Sequence, residues 1–255
     1  MAIVSLLSDF GLSDPYVGVM KARVLAQAPS ASLVDLTHAV PPGDVRAGAF
    51  LLAQAAPWFP DGAVHLAVVD PGVGTSRRAV AVEASGRFFV GPDNGMFALA
   101  LAGQRVRRAV VLPVPRRASP TFHGRDVFAP AAGRLAAGAP IESLGRPAAR
   151  LAPLDWPAPR RRGATTVGEI VHIDHFGNLV TNLRTTDGGE LTAGGFRTRR
   201  ILRTYGDAPR GQPLALRGSH GFLEIAVRDG SAAQVLGVTR GDKIHVRHRM
   251  LNRSV

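Results

Sequence analysis

The chain contains no cysteine, which excludes a disulfide framework and thiolate catalysis. Lysine is scarce too: among 31 basic residues only Lys21 and Lys243 are lysine, and arginine supplies the rest. Aromatic residues amount to 6%. They do not interleave with the arginine clusters Arg107-Arg108, Arg116-Arg117, Arg160-Arg161-Arg162 and Arg199-Arg200, so no stacking platform for nucleic-acid bases is apparent. The net charge of +12 and pI near 11.5 therefore read as a compositional bias, in a chain also rich in alanine and glycine. A nucleic-acid partner is not expected. No apolar run approaches the ~20 residues that span a bilayer, so no membrane partner is expected. The opening, Met1-Ala2-Ile3-Val4-Ser5-Leu6-Leu7, lacks a basic leader and runs into Asp9. It reads as a first strand, and a cytoplasmic protein is expected.

What is present suffices for a substantial core. At 255 residues, 45% hydrophobic and 20% charged, the chain holds one large or two modest domains. In its first half strands alternate with helices. Strands are expected at Ile3–Ser8, Leu33–Leu36, Val64–Val69, Ala79–Glu83, Arg87–Val90 and Val106–Leu112. Helices are expected from Asp14-Pro15 to about Gln27, from the cap Asp44 to about Trp58, at Met96–Leu101, and from the cap Asp126 to Ala137. That alternation predicts an α/β domain, residues 1–152, with a mostly parallel sheet between helices. The proline-rich stretch 153–164 reads as a linker. Beyond it, short strands are separated by glycine turns: Thr165–Asp174, Leu179–Leu183, Phe196–Tyr205, Leu214–Leu216, Phe222–Val227 and Lys243–His248. With one helix at Ala232–Leu236, residues 165–255 predict a smaller antiparallel β-barrel domain.

Polar residues with chemistry to offer stand at the ends of these strands. Asp70, in Val68-Val69-Asp70-Pro71-Gly72-Val73-Gly74-Thr75-Ser76-Arg77-Arg78, is delivered by an apolar strand into a glycine-rich turn. An arginine seven residues later can meet it at the strand's carboxyl end, where open α/β sheets carry ligands. Arg78 is the alternative one position on, and an ordinary surface ion pair is the bland reading. Asp9, after the first strand, can accept both hydroxyls of a ribose, a role open to it because Asp14 fits the helix cap. His123, in Pro120-Thr121-Phe122-His123-Gly124-Arg125-Asp126, sits in a loop before a helix. Asp174 and Asn178 flank Phe176 on a glycine turn, suiting an amine and a flat heterocycle. His172, Asp174 and His175 could suggest a metal, but strand alternation turns His175 away from the other two, so none is expected.

Taken in order, SDFGLSDPYVGVMK, VVDPGVGTSRR, PDNG at Pro92–Gly95, TFHGRD, IDHFGNLVTN and GSHGFLEIAV closely resemble the S-adenosyl-L-methionine (SAM) hydroxide adenosyltransferases, relatives of the SAM-dependent fluorinase and chlorinase. The resemblance implies a homotrimer, with SAM held between one subunit's N-terminal domain and its neighbour's C-terminal domain. It places Asp9 at the ribose hydroxyls and Phe122, Phe176, Asn178 and the backbone near Val227 at the adenosine. It places Asp174 at the methionine ammonium and Ser219 at its carboxylate, with Glu224 a further candidate. Asp70, Arg77 and His123 map onto the water-activating triad of the hydrolases, with either Asp70 or His123 accepting the water proton. Halogenating relatives carry tyrosine where Asp70 stands. His220 stands where the fluorinase has arginine, which leaves open what neutralises the substrate carboxylate. The implied activity is hydrolysis of SAM to adenosine and methionine without a cofactor. A chloride-using halogenase and a SAM- or adenosine-binding sensor are the alternatives.

Overall fold

The computed structural model describes residues 2–248. Residues 249–255 of the expected barrel domain, and Met1, lie outside them. Two compact units are formed, Met1–Asp155 and Trp156–Val255. Among the described residues no helix is long and apolar enough to cross a membrane.

In the first unit, β1 (Ile3–Ser8), α1 (Tyr16–Leu25), β2 (Ser32–Thr37), α2 (Val45–Ala55), β3 (Val64–Val68), β4 (Ala79–Ala84), β5 (Arg87–Pro92), β6 (Val106–Leu112), α3 (Ala129–Ala136) and β7 (Arg146–Pro147) follow one another. The strands form one seven-stranded sheet in the order β2-β1-β3-β5-β4-β6-β7. Every residue of β3 is buried, because the sheet is covered on both faces. Val64, Leu66 and Val68 pack with Met20 and Val24 of α1 and Ala132 and Leu135 of α3. Ala67 and Val69 pack with Ala47 and Leu52 of α2. Continuous apolar strands are what two-sided burial requires.

The α/β class stands, with a division of the sheet that the alternation did not anticipate. β2-β1-β3-β5 pair parallel, whereas β5-β4-β6-β7 pair antiparallel. The reason is Ser85-Gly86, both at positive φ. A two-residue turn closes a hairpin and leaves no room for the crossover that parallel pairing needs.

Local departures have local causes. Asp44 caps α2 as expected, accepting the Ala47 N–H at 2.9 Å. Asp14 caps nothing: α1 starts at Tyr16 with Pro15 as its cap residue. Asp126 is no cap either. It accepts the Ser119 N–H at 2.8 Å and pairs with Arg125, while the chain enters α3 through a π-helical turn, Gly124–Phe128. The helix expected at Met96–Leu101 is a run of turns. There the Asn94 side chain takes the Met96 N–H, and so short a segment does not nucleate helix alone.

The second unit contains β8 (Arg160–Arg162), β9 (Thr165–Ile173), β10 (Leu179–Thr181), β11 (Glu190–Ala193), β12 (Phe196–Thr198), β13 (Pro213–Arg217), β14 (Leu223–Val227), α4 (Ala232–Leu236) and β15 (Lys243–Arg247). All its ladders are antiparallel. Their order, β12-β11-β15-β9-β10-β14-β13, with β8 on β9, bends into a nearly closed barrel as β12 and β13 come into contact. Its interior is filled by Ile170, Leu179, Leu191, Leu223, Ile225 and Val246. Arg160–Arg162, expected as linker, is a strand paired with β9; a charged strand of this kind suits a sheet edge. The strand expected at Phe196–Tyr205 stops at Thr198, whose hydroxyl accepts the Arg200 N–H at 3.0 Å and turns the chain. β11 has no counterpart in the sequence reading.

Candidate active site

Three loops converge at the carboxyl end of the parallel half-sheet. β3 leads through Val69 to Asp70, and the turn that follows is tied by Val73 N–H to Asp70 O (3.2 Å) and Thr75 N–H to Gly72 O (3.1 Å). Gly74 has φ +78, and a Cβ there would lie 2.6 Å from the Pro120 carbonyl oxygen. Glycine is thus required twice over, by conformation and by contact with the loop that carries His123. The third loop precedes α2. Its Gly43 donates to Asp9 Oδ2 at 2.8 Å, and a Cβ on Gly43 would lie 3.6 Å from that of Pro71. Asp9 is therefore already tied to a neighbouring loop by one oxygen, rather than standing free.

Asp70, Arg77 and His123 are brought together. Arg77 Nε donates to Asp70 Oδ1 at 2.8 Å, and its Nη2 pairs with Oδ2. The same Nη2 stands 2.9 Å from His123 Nδ1. The side chains of Arg77 and Asp70 are 10% and 6% exposed, so this is a buried bidentate pair, of the kind whose disruption costs about 3–5 kcal/mol. The guanidinium also lies 5.2 Å from the centroid of the Phe128 ring. Arg78 is excluded from the cluster: it pairs with Asp93 and donates to the Arg150 carbonyl at 2.6 Å.

Two consequences follow from donor and acceptor identity. A guanidinium has no lone pair to offer, so His123 Nδ1 must accept, and the proton of the neutral ring lies on Nε2. Burial, and then the Arg77 charge, hold the His123 pKa below its ordinary value, against the opposing pull of Asp70 and Asp126. Second, Arg77 Nη1 is buried and has no hydrogen-bond partner among the described residues. A buried cationic donor needs an acceptor, a role that the oxygen of a water or hydroxide is chemically suited to fill.

The PDNG motif positions this cluster, a role the sequence reading did not assign. Asn94 Nδ2 donates to the Val69 carbonyl at 2.9 Å, immediately before Asp70. Asp93 holds Arg78 and accepts the Ala152 N–H at 2.7 Å. Phe122 packs edge-on against Phe10 and Tyr16, with ring centroids 5.9 and 5.4 Å away.

In the second unit the β9–β10 turn builds its own site. Asp174 Oδ1 accepts the N–H groups of Phe176 and Asn178, both at 2.9 Å, and Oδ2 accepts Asn178 Nδ2 at 2.9 Å. This turn leaves Phe176 73% exposed, an unusual position for a large apolar ring beside a cavity. Asp174, Phe176, Asn178 and Val227 line that cavity, of ≈ 620 Å³, together with Tyr205 and Arg228. Tyr205 and Arg228 were not legible in the sequence as site residues. Glu224, buried, accepts the Tyr205 hydroxyl at 2.7 Å; partial burial, and then this carboxylate, push the Tyr205 pKa up. Ser219 is exposed on the turn between β13 and β14. Among the described residues no group of three His, Asp or Glu side chains could hold a metal ion.

An α/β domain with a buried acid–guanidinium–imidazole cluster at its strand ends, followed by a barrel with an aromatic cavity, defines a two-domain ligand-processing architecture. Sequence comparison specifies which. The model of the SAM hydroxide adenosyltransferase N-terminal domain matches residues 4–145, and that of the C-terminal domain matches residues 168–245. The chain belongs to this family. It is 50% identical to an (R)-S-adenosyl-L-methionine hydrolase of Thermus thermophilus, over 94% of this chain and 98% of that protein. More distantly, it is 28% identical to a fluorinase of Nocardia brasiliensis, over 96% of each chain. The crystal structure of an uncharacterized conserved protein from Thermotoga maritima superposes with a TM-score of 0.88 at 35% identity, covering 96% of this chain and 100% of that one.

Proposed function

We propose that this protein hydrolyses SAM to adenosine and methionine by in-line attack of water on ribose C5′, and that Asp70, Arg77 and His123 activate the water. The observation that carries this reading is the unpartnered, buried Nη1 of Arg77 beside Asp70. The sulfonium leaves as a neutral thioether, so no acid is needed at the leaving group. The difficulty lies with the nucleophile, because bulk water has a pKa of ~15.7 and an ordinary Asp ~3.9. Proton transfer therefore accompanies attack. His123 Nδ1 is engaged by Arg77, which leaves Asp70, with one lone pair remaining on each oxygen, as the proton acceptor. Arg77 stabilises the developing hydroxide in a dry setting where charges act strongly. The proton lost by water ends in solvent, and oxygen replaces sulfur on C5′.

In this reading Asp9 holds the ribose hydroxyls and Phe122, Phe176 and Asn178 enclose the adenosine. Asp174 meets the ammonium with its remaining lone pair, and no cofactor takes part. The working form is a cytoplasmic homotrimer in which the N-terminal unit of one subunit and the C-terminal unit of its neighbour share a substrate. The relatives' name specifies the (R) configuration, which makes sulfur epimer preference part of the proposal. The test is incubation of purified protein with each SAM epimer, with chromatography of the products and sedimentation of the protein. Adenosine and methionine are expected, from the (R) epimer preferentially. Intact SAM bound tightly would indicate a sensor, and 5′-chloro-5′-deoxyadenosine in saturating chloride a halogenase; either result overturns the reading.

A further inference from the structure

A serine, an imidazole and a carboxylate run in line from the first strand to the second, beside Asp9 and outside the cluster already described. Ser8, the last residue of β1, has its Oγ 2.7 Å from His38 Nδ1, and His38 Nε2 lies 3.1 Å from Asp35 Oδ1. Lys21 of α1 closes the line, donating to Asp35 Oδ2 at 2.6 Å. In a regular strand residues 35 and 38 would face opposite sides. The pairing of β1 with β2 skips Leu36, with Leu6 facing Asp35 and Leu7 facing Thr37. That extra residue brings the two side chains to one side. The composition is that of a hydrolytic triad, but Ser8 is 0% exposed, so no substrate reaches its hydroxyl.

Proton accounting gives the line a direction. Ser8 Oγ accepts the Phe10 N–H at 3.3 Å, so its own proton goes to His38 Nδ1, its acceptor among the described residues. The buried ring is then neutral and donates through Nε2 to Asp35. Each member is oriented by the next, and the inner end of the line meets Asp9. The bond from Phe10 N–H to Ser8 Oγ closes a turn over Asp9. Gly11 N–H donates to the His38 carbonyl at 2.8 Å, and Val40 N–H to the Ser8 carbonyl at 3.4 Å. Gly43, on the same segment as His38, donates to Asp9 Oδ2 at 2.8 Å. Segments 8–11 and 38–43 are thus laced together with Asp9 between them, and His38 is the side chain that ties the lacing to β2.

We propose that His38, held by Asp35 and holding Ser8, is a positioning residue for the nucleoside sugar: through Ser8 it fixes the backbone that aims the Asp9 carboxylate at the ribose hydroxyls. The proposal rests on the reading of Asp9 as the ribose ligand, and the experiment separates the two. Ser8→Ala, His38→Ala, His38→Asn and Asp35→Ala are compared with Asp9→Ala and wild type. Each is titrated calorimetrically with adenosine and with 2′,3′-dideoxyadenosine, which lacks both hydroxyls, and each is assayed with SAM. Wild type should prefer adenosine, and Asp9→Ala should lose that preference. Ser8→Ala and His38→Ala should lower it about 10-fold, the scale of one hydrogen bond to a charged group. Their loss in turnover should fall on KM rather than on kcat. His38→Asn sets an amide oxygen near the place of Nδ1 and should recover part of the preference. Asp35→Ala, at a partly exposed position, should lower it less. Circular dichroism checks folding, and Ser8→Ala with Asp35→Ala carries the test if His38→Ala does not fold. An unchanged preference in these variants, or weaker binding of both nucleosides by the same factor, overturns the positioning role and leaves the reading of Asp9 standing. A preference kept by Asp9→Ala, or missing from wild type, overturns that reading and the positioning role with it.

Discussion

Arg77 Nη2 stands 2.9 Å from His123 Nδ1 and on its other side pairs with Asp70 Oδ2. One nitrogen thus donates its two protons to an imidazole and a carboxylate, and this assigns different work to each. The carboxylate keeps lone pairs for an incoming proton, whereas the imidazole has committed its only one.

Asp70→Asn should therefore cut kcat by about 10²–10⁴-fold, the span of general-base catalysis, with little change in KM. The amide keeps the size of the carboxylate but offers Arg77 one acceptor in place of two, so denaturant melts of the variant separate the lost ion pair from the lost proton acceptor. Steady-state release of adenosine measures the fall in kcat. A matching rise in KM would instead make Asp70 a substrate ligand.

Protonation of His123 puts a proton on Nδ1, where Arg77 now donates. Because burial and Arg77 lower its pKa, the ring is neutral at pH 7. Activity should hold at neutral pH and fall only as the pH drops through that lowered value. The His123 ring resonances, followed by NMR, should titrate with a midpoint below 6.5.

Gly74→Ala sets a side chain at positive φ, 2.6 Å from the Pro120 carbonyl oxygen. The turn carrying Arg77 must then withdraw from the His123 loop. A loss of about 1–3 kcal/mol in stability is expected, together with a fall in kcat. Gly103→Ala is the control: φ is +72, but nothing lies within 4 Å. It should cost stability alone, as denaturant melts and turnover assays will show.

His65 supplies a pH dependence of a different kind. It is fully buried in the sheet, with Nδ1 2.7 Å from Ser5 Oγ and Nε2 without a partner among the described residues. Burial, aided by Arg87, lowers its pKa to about 4. The unfolded chain, with His near 6.5, binds more protons between those values, so stability is complete above pH 6.5 and drains away as pH falls towards 4. The loss attributable to this group is on the order of 3 kcal/mol. Denaturant melts of wild type and His65→Leu across that window should differ in slope, with the variant the flatter.

Much of this was open to inspection in the chain itself. The apolar run ending at Asp70 predicts a buried strand because alternate residues face opposite sides and both are covered. Asp44 announces a helix start because its side chain reaches an N–H only three residues away. Asp14 and Asp126 look the same and are not caps: α1 begins one residue later than Asp14 allows, with Pro15 as its cap residue, and Asp126 is taken by Ser119 and Arg125. Tyr205 and Arg228 escaped notice for a different reason: they line the cavity from positions far from Asp174 in sequence.

What the sequence determined by itself is most of the strands, though not β7, β8 or β11, together with the two kinds of domain and the residue types at the strand ends. These depend on periodicity and on neighbours within a few positions. Only the tertiary structure decided that Arg77 rather than Arg78 holds Asp70, that His123 Nδ1 accepts, and that Asp9 is tied to Gly43. Those are questions of which nitrogen meets which lone pair between residues as many as 46 positions apart, and hydrogen-bond direction is a property of three-dimensional neighbours that no local pattern encodes.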